Sequence, residues 1–558
     1  MKHFLPVFFF LGLICYSQAQ NQTVGLFTYE PGAVEGYTLF SPLRSNTSFL
    51  IDNCGRLVNK WTNDKTPGNT VIFTHTGHLL RTELIPNPVM NVGGIGGRVE
   101  LADWQGNVTW EFTYSDSLVA QHHEALMLPN GNILMLAIEN KPIEDAFALG
   151  RNPALTNNVD AIWPELIVEI QPIGADSGVV VWEWHIWDHT VQDFDPTKPN
   201  FSPIADHPEL IDINFIFSAV AEDWLHANAI DYNAELDQII LSLRNTNEFY
   251  IIDHSTTSSE AASHSGGNSG KGGDFLYRWG NPQIYGRGTA ADQTLFGQHH
   301  VHWVEPGMPD YGKILAFNNG ALRPDSNYAT IDLINPPIDS AGNYTIPESA
   351  AFGPDSAEWA LLVDIPMKYP AGFLGSSQQL PNKNMLICHG PDGIIYEVDS
   401  SGNLVWHYVI PVGQNGPYTQ GDPIGNASVN SLDTRTFRSI RYDASYPGFA
   451  GKDLTPGNRI EGNPLPLPAN CSTDGLDELT QETLSIYPNP ATEKIFIQLS
   501  GLRPQTYQIK SIHGQQLLQG KNAEGMPIDI TRLAAGIYFL EVWDINDTFP
   551  KVGKFVKQ

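Results

Sequence analysis

Three histidine-bearing stretches stand at the heads of extended, apolar segments of this chain. They span Gln121–Glu124, His226–Asn228 and Gln298–His302. Imidazole can act as a nucleophile or as a general base near neutral pH. If each stretch opens the inner strand of a propeller blade, its histidines converge on the central axis and share one pocket. The sequence therefore predicts an active site made of histidines that are distant along the chain.

Residue spacing indicates a common register for three of these histidines. A proline lies six residues after both His123 and His300, and Tyr232 has the same place after His226. Equivalent positions on equivalent strands are what convergence on a propeller axis requires. The count favours His300 over its neighbour His299 as the third member, because adjacent strand residues face opposite sides.

One arginine interrupts the apolar segment that follows His226. Arg244 lies within Leu241–Asp253, a segment that otherwise has the composition of a strand. Such an arginine either extends to solvent along its aliphatic stem or binds an anion near the axis. The residues alone leave both interpretations open.

A cluster of imidazoles could instead hold a metal ion. His300 and His302 are two residues apart and would face the same side of a strand, an arrangement that suits zinc or copper. No carboxylate accompanies them at a familiar spacing, and the cysteines form no CxxC pair. We therefore predict neither a metal nor a cofactor, with metal binding at this pair as the alternative.

Composition narrows the class of partner. The 558 residues include 61 Asp and Glu against 31 Lys and Arg, a formal charge of −30. This balance argues against binding to nucleic acid or to an anionic membrane, since both need excess positive charge. Beyond the first residues no stretch reaches about 18 apolar residues, so we expect no transmembrane segment.

The chain begins with the features of an export signal. A lysine precedes the apolar run Phe4–Cys15, and small residues end at Ala19, which predicts a signal peptide over residues 1–19. Three cysteines remain in the mature chain, Cys54, Cys388 and Cys471. A Cys54–Cys388 bridge is conceivable because a propeller closes its first blade against its last.

Recurring turns predict the architecture. Asp52–Trp61, Asp103–Trp110 and Asp399–Trp406 share an Asp-x-x-Gly turn between apolar runs that ends in tryptophan, which is a hairpin pattern. We predict an all-β chain: a β-propeller of about six blades over residues 35–455, a linker over 456–483, and a small β-sandwich over 484–558.

The tail resembles the C-terminal sorting domain of proteins exported by the type IX secretion system of Bacteroidetes bacteria. Three features carry the resemblance, namely Tyr487–Ala491, Gly514 and Leu533–Tyr538. It implies that the type IX machinery is a partner and that the protein is secreted or attached to the cell surface. An ordinary carbohydrate-binding sandwich is the alternative.

The propeller region resembles the bacterial arylsulfate sulfotransferases. These enzymes move a sulfuryl group from a phenolic sulfate ester to another phenol without a nucleotide donor. The matching phrases, in chain order, are His122–Glu124, Asp223–Asn228, Ser242–Arg244, Gln298–His299, Phe317–Gly320 with Arg323, and Phe437–Tyr442.

The resemblance implies a covalent sulfohistidine intermediate and ping-pong kinetics. The sulfated histidine of the family follows Gln, which corresponds here to His299, whereas the register count favours His300. The other catalytic groups implied are His123, His226 and Arg244. Substrate contacts are expected from His122, Asn228 and Asn319.

Two hypotheses of other classes stay open. A surface propeller could recognise a glycan or a protein without catalysis, and a metal- or quinone-dependent propeller enzyme would need a bound metal or a coloured cofactor. The histidines together with Arg244 and the Gln298–His299 pair favour the enzyme.

Overall fold

The computed structural model describes residues 22–156, 159–215, 222–325, 327–339, 341–363, 371–423, 433–471, 485–498, 506–511, 516–521, 526–543 and 551–558. The predicted signal peptide and residues 472–483 of the predicted linker lie outside these ranges. The chain divides into two compact units, Met1–Pro466 and Leu467–Gln558. Each unit has buried apolar clusters of its own.

The first unit begins with strands that follow one another in antiparallel meanders. Their bounds are β1 (Gly25–Tyr29), β2 (Tyr37–Pro42), β3 (Thr47–Asp52), β4 (Leu57–Thr62), β5 (Pro67–Phe73), β6 (Leu79–Leu84), β7 (Gly97–Ala102), β8 (Val108–Thr113), β9 (Val119–Met127), β10 (Ile133–Glu139), β11 (Lys141–Pro142), β12 (Ala161–Ile162), β13 (Glu165–Ile173), β14 (Ser177–His185), β15 (Thr190–Val191) and β16 (Ile211–Asp212).

The same pattern continues to the end of the unit. The later strands are β17 (Ala227–Asn233), β18 (Gln238–Leu243), β19 (Glu248–Asp253), β20 (Tyr277–Trp279), β21 (His299–Trp303), β22 (Ile314–Asn318), β23 (Thr330–Ile334), β24 (Trp359–Leu362), β25 (Ser376–Gln379), β26 (Met385–His389), β27 (Ile394–Val398), β28 (Leu404–Val409), β29 (Val412–Gly413), β30 (Gly416–Pro417) and β31 (Thr436–Tyr442).

Helices are few and short among the described residues. The α-helices are α1 (Ile143–Ala148) and α2 (Ser258–Ala261), and the 3₁₀ turns are Pro153–Leu155, Ile186–His189, Ile204–Asp206, Arg244–Thr246, Pro282–Tyr285, Ala290–Asp292, Gly390–Asp392, Pro447–Phe449 and Ala469–Cys471. None of the described helices is long and apolar enough to cross a membrane.

Strand pairing joins the two ends of the first unit. The larger sheets run β31-β2-β3-β4, β17-β18-β19-β20, β21-β22-β23-β24 and β25-β26-β27-β28-β1. The late strand β31 therefore pairs with β2, and the early strand β1 pairs with β28. Closure of this kind removes exposed sheet edges. The all-β propeller predicted from the sequence is confirmed.

One sheet contains eight strands, in the order β14-β13-β10-β9-β5-β6-β7-β8. Its halves are two meanders joined by a single parallel bridge between Asn69 and His123. Because two meanders share this sheet, the number of blades stays a prediction.

The predicted hairpin turns form as their residue types require. The Asp103 carboxylate accepts hydrogen bonds from the main-chain N–H groups of Gln105 (2.9 Å) and Asn107 (2.8 Å). Gly106 follows with φ of +87°, a conformation that glycine adopts without a steric cost. The Asp399 turn repeats these bonds with Ser401 and Asn403.

The tryptophan at the end of each of these hairpins connects one meander to the next. Its indole N–H donates to a main-chain carbonyl of the neighbouring meander, so a buried polar group is satisfied while the ring fills the gap between meanders. The pairs are Trp61 with Asp103 (2.9 Å), Trp110 with Ser177 (2.8 Å) and Trp406 with Asn53 (2.6 Å).

The Cys54–Cys388 bridge, which the sequence left open, does not form. Cys388 is a free thiol buried on β26, whereas Cys54 and Cys471 each take part in a disulfide. Burial raises the pKa of the Cys388 thiol to about 12, so it remains protonated and unreactive. Chain closure brought the first and last blades together as expected, but it did not place these two cysteines side by side.

The second unit has two sheets around one core. Its strands are β32 (Ser485–Tyr487), β33 (Lys494–Gln498), β34 (Thr506–Ser511), β35 (Gln516–Lys521), β36 (Ile528–Asp529), β37 (Gly536–Trp543) and β38 (Lys551–Lys557). The sheets run β32-β33-β36 and β35-β34-β37-β38. Apolar side chains such as Ile495, Ile509 and Leu540 are buried between them, as the alternating pattern of a sandwich predicts.

A buried ion pair in β19 and β20 gives a stability prediction. The Arg278 guanidinium donates to Glu248 at 2.5 Å and to the Leu210 carbonyl at 2.9 Å, and both charged side chains are fully buried. Arg278→Met leaves the Glu248 charge without a partner, which should lower the free energy of unfolding by about 3–5 kcal/mol. Urea denaturation followed by tryptophan fluorescence measures the change.

The control is Lys65→Met, which removes an exposed pair with Asp64 (3.2 Å). Because solvent screens that pair, its loss should change the free energy of unfolding by less than about 1 kcal/mol. Equal losses in the two variants would contradict the importance assigned to the buried pair.

Candidate active site

Three histidines share an unusual backbone conformation at the heads of inner strands. His123, His226 and His300 have φ of +47°, +56° and +44°. The ladders are irregular beside each of them, at β9, β17 and β21. Non-glycine residues in the left-handed region cost free energy and are concentrated at functional sites. The common register inferred from spacing is thus present in the backbone.

His123 belongs to a hydrogen-bonded chain that ends on a carboxylate. His122 Nε2 lies 2.9 Å from Glu165 Oε2, and His122 Nδ1 lies 2.8 Å from His123 Nδ1. A carboxylate can only accept, so His122 Nε2 carries the proton. With neutral rings, His122 Nδ1 accepts from His123 Nδ1–H. This arrangement leaves the lone pair of His123 on Nε2.

His226 is oriented by the aspartate three residues before it. Its Nδ1 lies 2.7 Å from Asp223 Oδ2. The main-chain N–H of the next residue, Ala227, donates to Glu165 Oε1 at 2.7 Å. The carboxylate of Glu165 therefore connects both histidine segments, and the His123 and His226 ring centroids lie 5.0 Å apart with an angle of 78° between the rings.

His299 is oriented by an amide from the neighbouring strand. His299 Nδ1 lies 2.7 Å from Asn319 Oδ1, and Asn319 Nδ2 donates to the carbonyls of Ala371 (2.5 Å) and Leu374 (2.7 Å). Because the amide oxygen accepts, Nδ1 carries the proton and Nε2 carries the lone pair. The Leu374 N–H lies 3.3 Å from that Nε2, as a long hydrogen bond.

Arg244 lies in the same group of side chains. It opens a 3₁₀ turn after β18, and its main-chain N–H donates to the His226 carbonyl at 3.1 Å. Within the described parts of the chain its guanidinium forms no ion pair, and its one side-chain hydrogen bond goes to Asn245 at 3.4 Å. Burial lowers its pKa, with Asp223 acting in the opposite direction. A half-buried guanidinium in this state favours binding of an anion.

The electrostatics of the group keep two imidazoles neutral. Burial, followed by the charge of Arg244, lowers the pKa of His299 to about 3. Burial also holds the pKa of His123 well below its usual range, with further contributions from His226, His122 and His299. A neutral imidazole has the free lone pair that a nucleophile or base needs.

Two glycines and one aromatic ring complete the site, and none of them was predicted to be a site residue. A Cβ at Gly94 would lie 2.2 Å from the His123 ring, and one at Gly93 would lie 3.3 Å from the His226 ring. The Phe437 ring centroid lies 5.9 Å from that of His123 and 6.5 Å from that of His299.

Some of the residues that contact the site histidines could have been found from the sequence, and others could not. The run Gly93–Gly97 and the spacing of Asp223 before His226 were signals in the sequence, whereas Glu165 carried none. A close approach of backbone to a side chain is a common reason for glycine.

All three predicted substrate-binding residues contact protein groups. Asn228 Nδ2 donates to the Gln298 carbonyl at 2.7 Å, and His122 lies between Glu165 and His123. Both side chains are buried. Asn319 likewise holds His299 and residues 371–374. Direct contact of these three with substrate stays a prediction.

His300 is placed apart from this group. It lines a different cavity together with His302, Glu124 and Arg438. Its Nδ1 accepts a hydrogen bond from the Ser377 N–H at 3.3 Å, and its ring stacks on His302 at 4.1 Å. His300 thus lines this cavity, whereas His299 does not.

The His300–His302 pair is not part of a preformed metal cluster. Within the described residues, the group with metal-like spacing is His189, His264 and Asp274, whose ligand atoms lie within 4.8 Å of one another. Both ring nitrogens of His189 already face protein oxygens, Asp274 at 2.7 Å and the Ala261 carbonyl at 2.8 Å.

Comparison with known proteins supplies independent information. Residues 35–346 match the arylsulfotransferase (ASST) family, and residues 485–558 match the secretion system C-terminal sorting domain. No curated protein matches the chain significantly.

Several solved structures are similar to this one at low identity. A protein of unknown function from Bacteroides caccae is 12% identical, over 67% of this chain and 94% of that one, with a TM-score of 0.37. A virginiamycin B lyase from Staphylococcus aureus is 11% identical, over 71% and 91%, with a TM-score of 0.31. Neither likeness supports a functional inference.

The low pKa of His299 gives a prediction for protonation. Folded His299 should stay neutral as the pH falls from 7 to about 4, whereas histidines of the unfolded chain take up a proton near pH 6.5. The unfolded state then binds more protons between about pH 6.5 and 3, so His299 makes the fold less stable as the pH falls through that window. NMR spectra of ¹⁵N-histidine-labelled protein measure the protonation state of each ring as the pH falls. The signal that is missing from His299→Asn belongs to His299. Protonation of the folded His299 ring above about pH 6 would contradict the assignment.

Proposed function

Because the chain belongs to the arylsulfotransferase (ASST) family, we propose that it transfers a sulfuryl group from a phenolic sulfate ester to an acceptor phenol through a sulfohistidine at His299. The transfer needs no nucleotide. The observation that carries the proposal is the juxtaposition of His299, a neutral and oriented imidazole, with Arg244, whose guanidinium has no ion-pair partner among the described residues.

His299 has the properties of a nucleophile. The Asn319 oxygen holds its Nδ1–H, which fixes the tautomer and directs Nε2 away from that partner. Its low pKa keeps Nε2 unprotonated across the physiological range, with only the long hydrogen bond from the Leu374 N–H on its lone pair among the described residues. Once Nε2 is sulfated the ring becomes cationic, and the hydrogen bond from Nδ1–H to Asn319 strengthens. Asn319 therefore favours the intermediate over the resting state.

The sulfuryl oxygens need fixed positive groups. Sulfuryl transfer is chemically analogous to phosphoryl transfer, in which charge spreads over three equatorial oxygens in a loose transition state. Arg244 can donate hydrogen bonds to two of them from its planar fork. The Leu374 N–H donates to His299 Nε2 in the resting site, and once Nε2 bonds to sulfur this N–H becomes a further main-chain donor for a sulfuryl oxygen.

His123 is suited to accept the proton of the acceptor phenol. Its lone pair is on Nε2, beside His226, because its Nδ1–H is donated to His122. Protonation of His123 places a positive charge next to a chain that ends on Glu165, so the carboxylate stabilises the cation through His122. With its Nδ1–H donated to Asp223, the His226 imidazolium has a second N–H on Nε2, which can donate to the sulfuryl group.

In the first half-reaction the Nε2 lone pair of His299 forms an N–S bond while the S–O bond to the aryl group breaks, and a phenolate leaves. In the second, the acceptor phenol gives its proton to His123 and its oxygen attacks sulfur. The N–S bond then breaks and returns neutral His299. The proton on His123 passes to the departed phenolate through solvent, so one sulfate ester and one phenol are consumed and one of each is formed.

His299, indicated by the family resemblance, is preferred as the nucleophile over His300, indicated by the register count, for a geometric reason. His299 shares its surroundings with Arg244 and His226, whose charges act on it. His300 lines the other cavity, near Arg438. The left-handed backbone at His300 alters the simple alternation of side chains along β21, and the register count does not account for this.

The sorting domain supports export in a Bacteroidetes-type bacterium. We propose that the type IX secretion machinery recognises the second unit and that sulfuryl transfer takes place outside the cell. Secreted and surface-attached forms are both compatible with that route.

Assay of aryl sulfate turnover tests the nucleophile. With 4-nitrophenyl sulfate as donor and phenol as acceptor, the native protein should release 4-nitrophenolate at a rate that depends on acceptor. His299→Asn should lower that rate by about 10³-fold or more, since the covalent step is lost. His300→Asn should keep most of the activity, because its ring lines the other cavity.

The covalent step has its own measurement. A brief exposure to donor without acceptor should add the mass of one sulfuryl group to the peptide that contains His299. Equal activity of His299→Asn and native protein would overturn the mechanism, and activity lost in chelator would favour a metal-dependent enzyme.

Arg244 gives a separate prediction. Arg244→Met should lower kcat by about 10²–10³-fold, because the transition-state charge loses its main donor. Arg98→Met is a control, since Arg98 is paired with Glu83 outside the site. A rise in KM with unchanged kcat would mean that Arg244 only binds the donor.

A further inference from the structure

A second cavity lies in the first unit, separate from the histidine group of the active site. Its volume is about 430 Å³, and its lining includes Glu124 and His300, the chain neighbours of His123 and His299. None of His123, His226, Arg244 and His299 lines it. A volume of this size suits a small molecule.

The cavity has an excess of carboxylates. Its two arginines are matched, Arg438 by Glu124 and Arg441 by Glu397. Four further acidic residues line it and, within the described part of the chain, none of them is in an ion pair. They are Glu35, Asp231, Glu305 and Asp443.

Asp231 is the least exposed of the four and is already oriented. One carboxylate oxygen accepts from the Trp303 N–H at 2.9 Å, and the other accepts from the Tyr232 N–H at 2.8 Å. Burial raises the pKa of Asp231 to about 7, which is the cost of holding this charge without a cation. A bound cation would remove that cost.

The histidines of the cavity do not supply positive charge. Burial lowers the pKa of His302 to about 4 and holds that of His300 well below its usual range, so both rings are neutral at pH 7. The His302 Nδ1–H is donated to the His300 carbonyl at 3.1 Å, which leaves the Nε2 lone pair as an acceptor.

Aromatic rings form part of the wall. Trp303, Tyr442 and Tyr446 line the cavity. The Phe73 N–H donates to the Tyr442 hydroxyl at 2.8 Å, and the Tyr446 hydroxyl donates to the Phe73 carbonyl at 2.9 Å. With both hydroxyls engaged, the rings offer the cavity their apolar surface, and ring faces attract cations.

We propose that this cavity binds a small organic cation, an ammonium or guanidinium group attached to a flat apolar body. Asp231 and Glu305 hold the charged group, and the aromatic wall holds the body. A divalent metal fits less well, because the metal-like cluster found among the described residues lies elsewhere, at His189. The proposal does not depend on sulfuryl transfer.

Calorimetric titration of the full chain with 2-phenylethylamine tests the proposal. The neutral 2-phenylethanol and the anion phenylacetate serve as probes of similar shape. We expect the amine to bind at least about tenfold more tightly than the alcohol, and the anion to give no measurable binding. Asp231→Asn and Glu305→Gln should each weaken amine binding by about fivefold or more. Glu305 has no hydrogen-bond partner for its carboxylate in the described chain, so its variant should fold normally.

Two controls locate the site. Asp176→Asn, on an exposed turn between β13 and β14, should leave amine affinity unchanged. His299→Asn should also leave it unchanged while abolishing sulfuryl transfer, which separates the two proposals. Absence of amine binding, equal binding of the alcohol, unchanged affinity in both acidic-residue variants, or loss of binding in His299→Asn would each overturn the inference.

Discussion

Burial of neutral imidazoles beside the guanidinium of Arg244 is the constraint on which the candidate site depends. Water is excluded from His123 and His299, and their pKa values fall because the interior disfavours a charged ring. Arg244 keeps its charge in the same surroundings, since the pKa of a guanidinium stays far above neutrality. The result is a fixed positive charge next to free lone pairs, a combination that water would screen.

Three other buried arginines of the first unit are paired with carboxylates. Arg278, Arg438 and Arg441 are each paired with a buried glutamate, whereas Arg244 has no such partner among the described residues. Glu165 accepts from both histidine segments, and Asn319 holds His299 together with residues 371–374. Such contacts fix ring orientations before any substrate arrives, which lowers the reorganisation that catalysis would otherwise require.

Residues that are neighbours on one strand belong to two different places, the histidine group and the acidic cavity. His123 and His299 belong to the active-site group, while Glu124 and His300 line the acidic cavity. The Glu124–Arg438 pair lines that cavity, and Phe437, the residue before Arg438, packs against His123 and His299. One propeller therefore carries Arg244 beside buried histidines and, lined by their chain neighbours, a cavity with an excess of carboxylates.

Local pattern was enough to predict much of this molecule. The Asp-x-x-Gly turns, the strand alternation of the tail and the shared register of His123, His226 and His300 depend on residues close together in the chain, so composition and spacing determined them. Arg244 was also visible, as a charge within an apolar segment. Prediction failed where it needed distances between remote segments. The expected partner of Cys54 was Cys388, yet Cys388 is a buried free thiol.

Only the tertiary structure decided which of His299 and His300 lies with Arg244 and which lines the acidic cavity. A left-handed residue breaks the two-residue alternation of a strand, so counting along β21 could not show that His299 lies with Arg244 and His300 with Arg438. The partners Glu165 and Asn319 come from other strands, and no sequence spacing connects them to His122 or His299. Sequence by itself determined the chemical groups and their local register, whereas chain closure around the axis determined their neighbours, because those contacts form only when the sheets pack together.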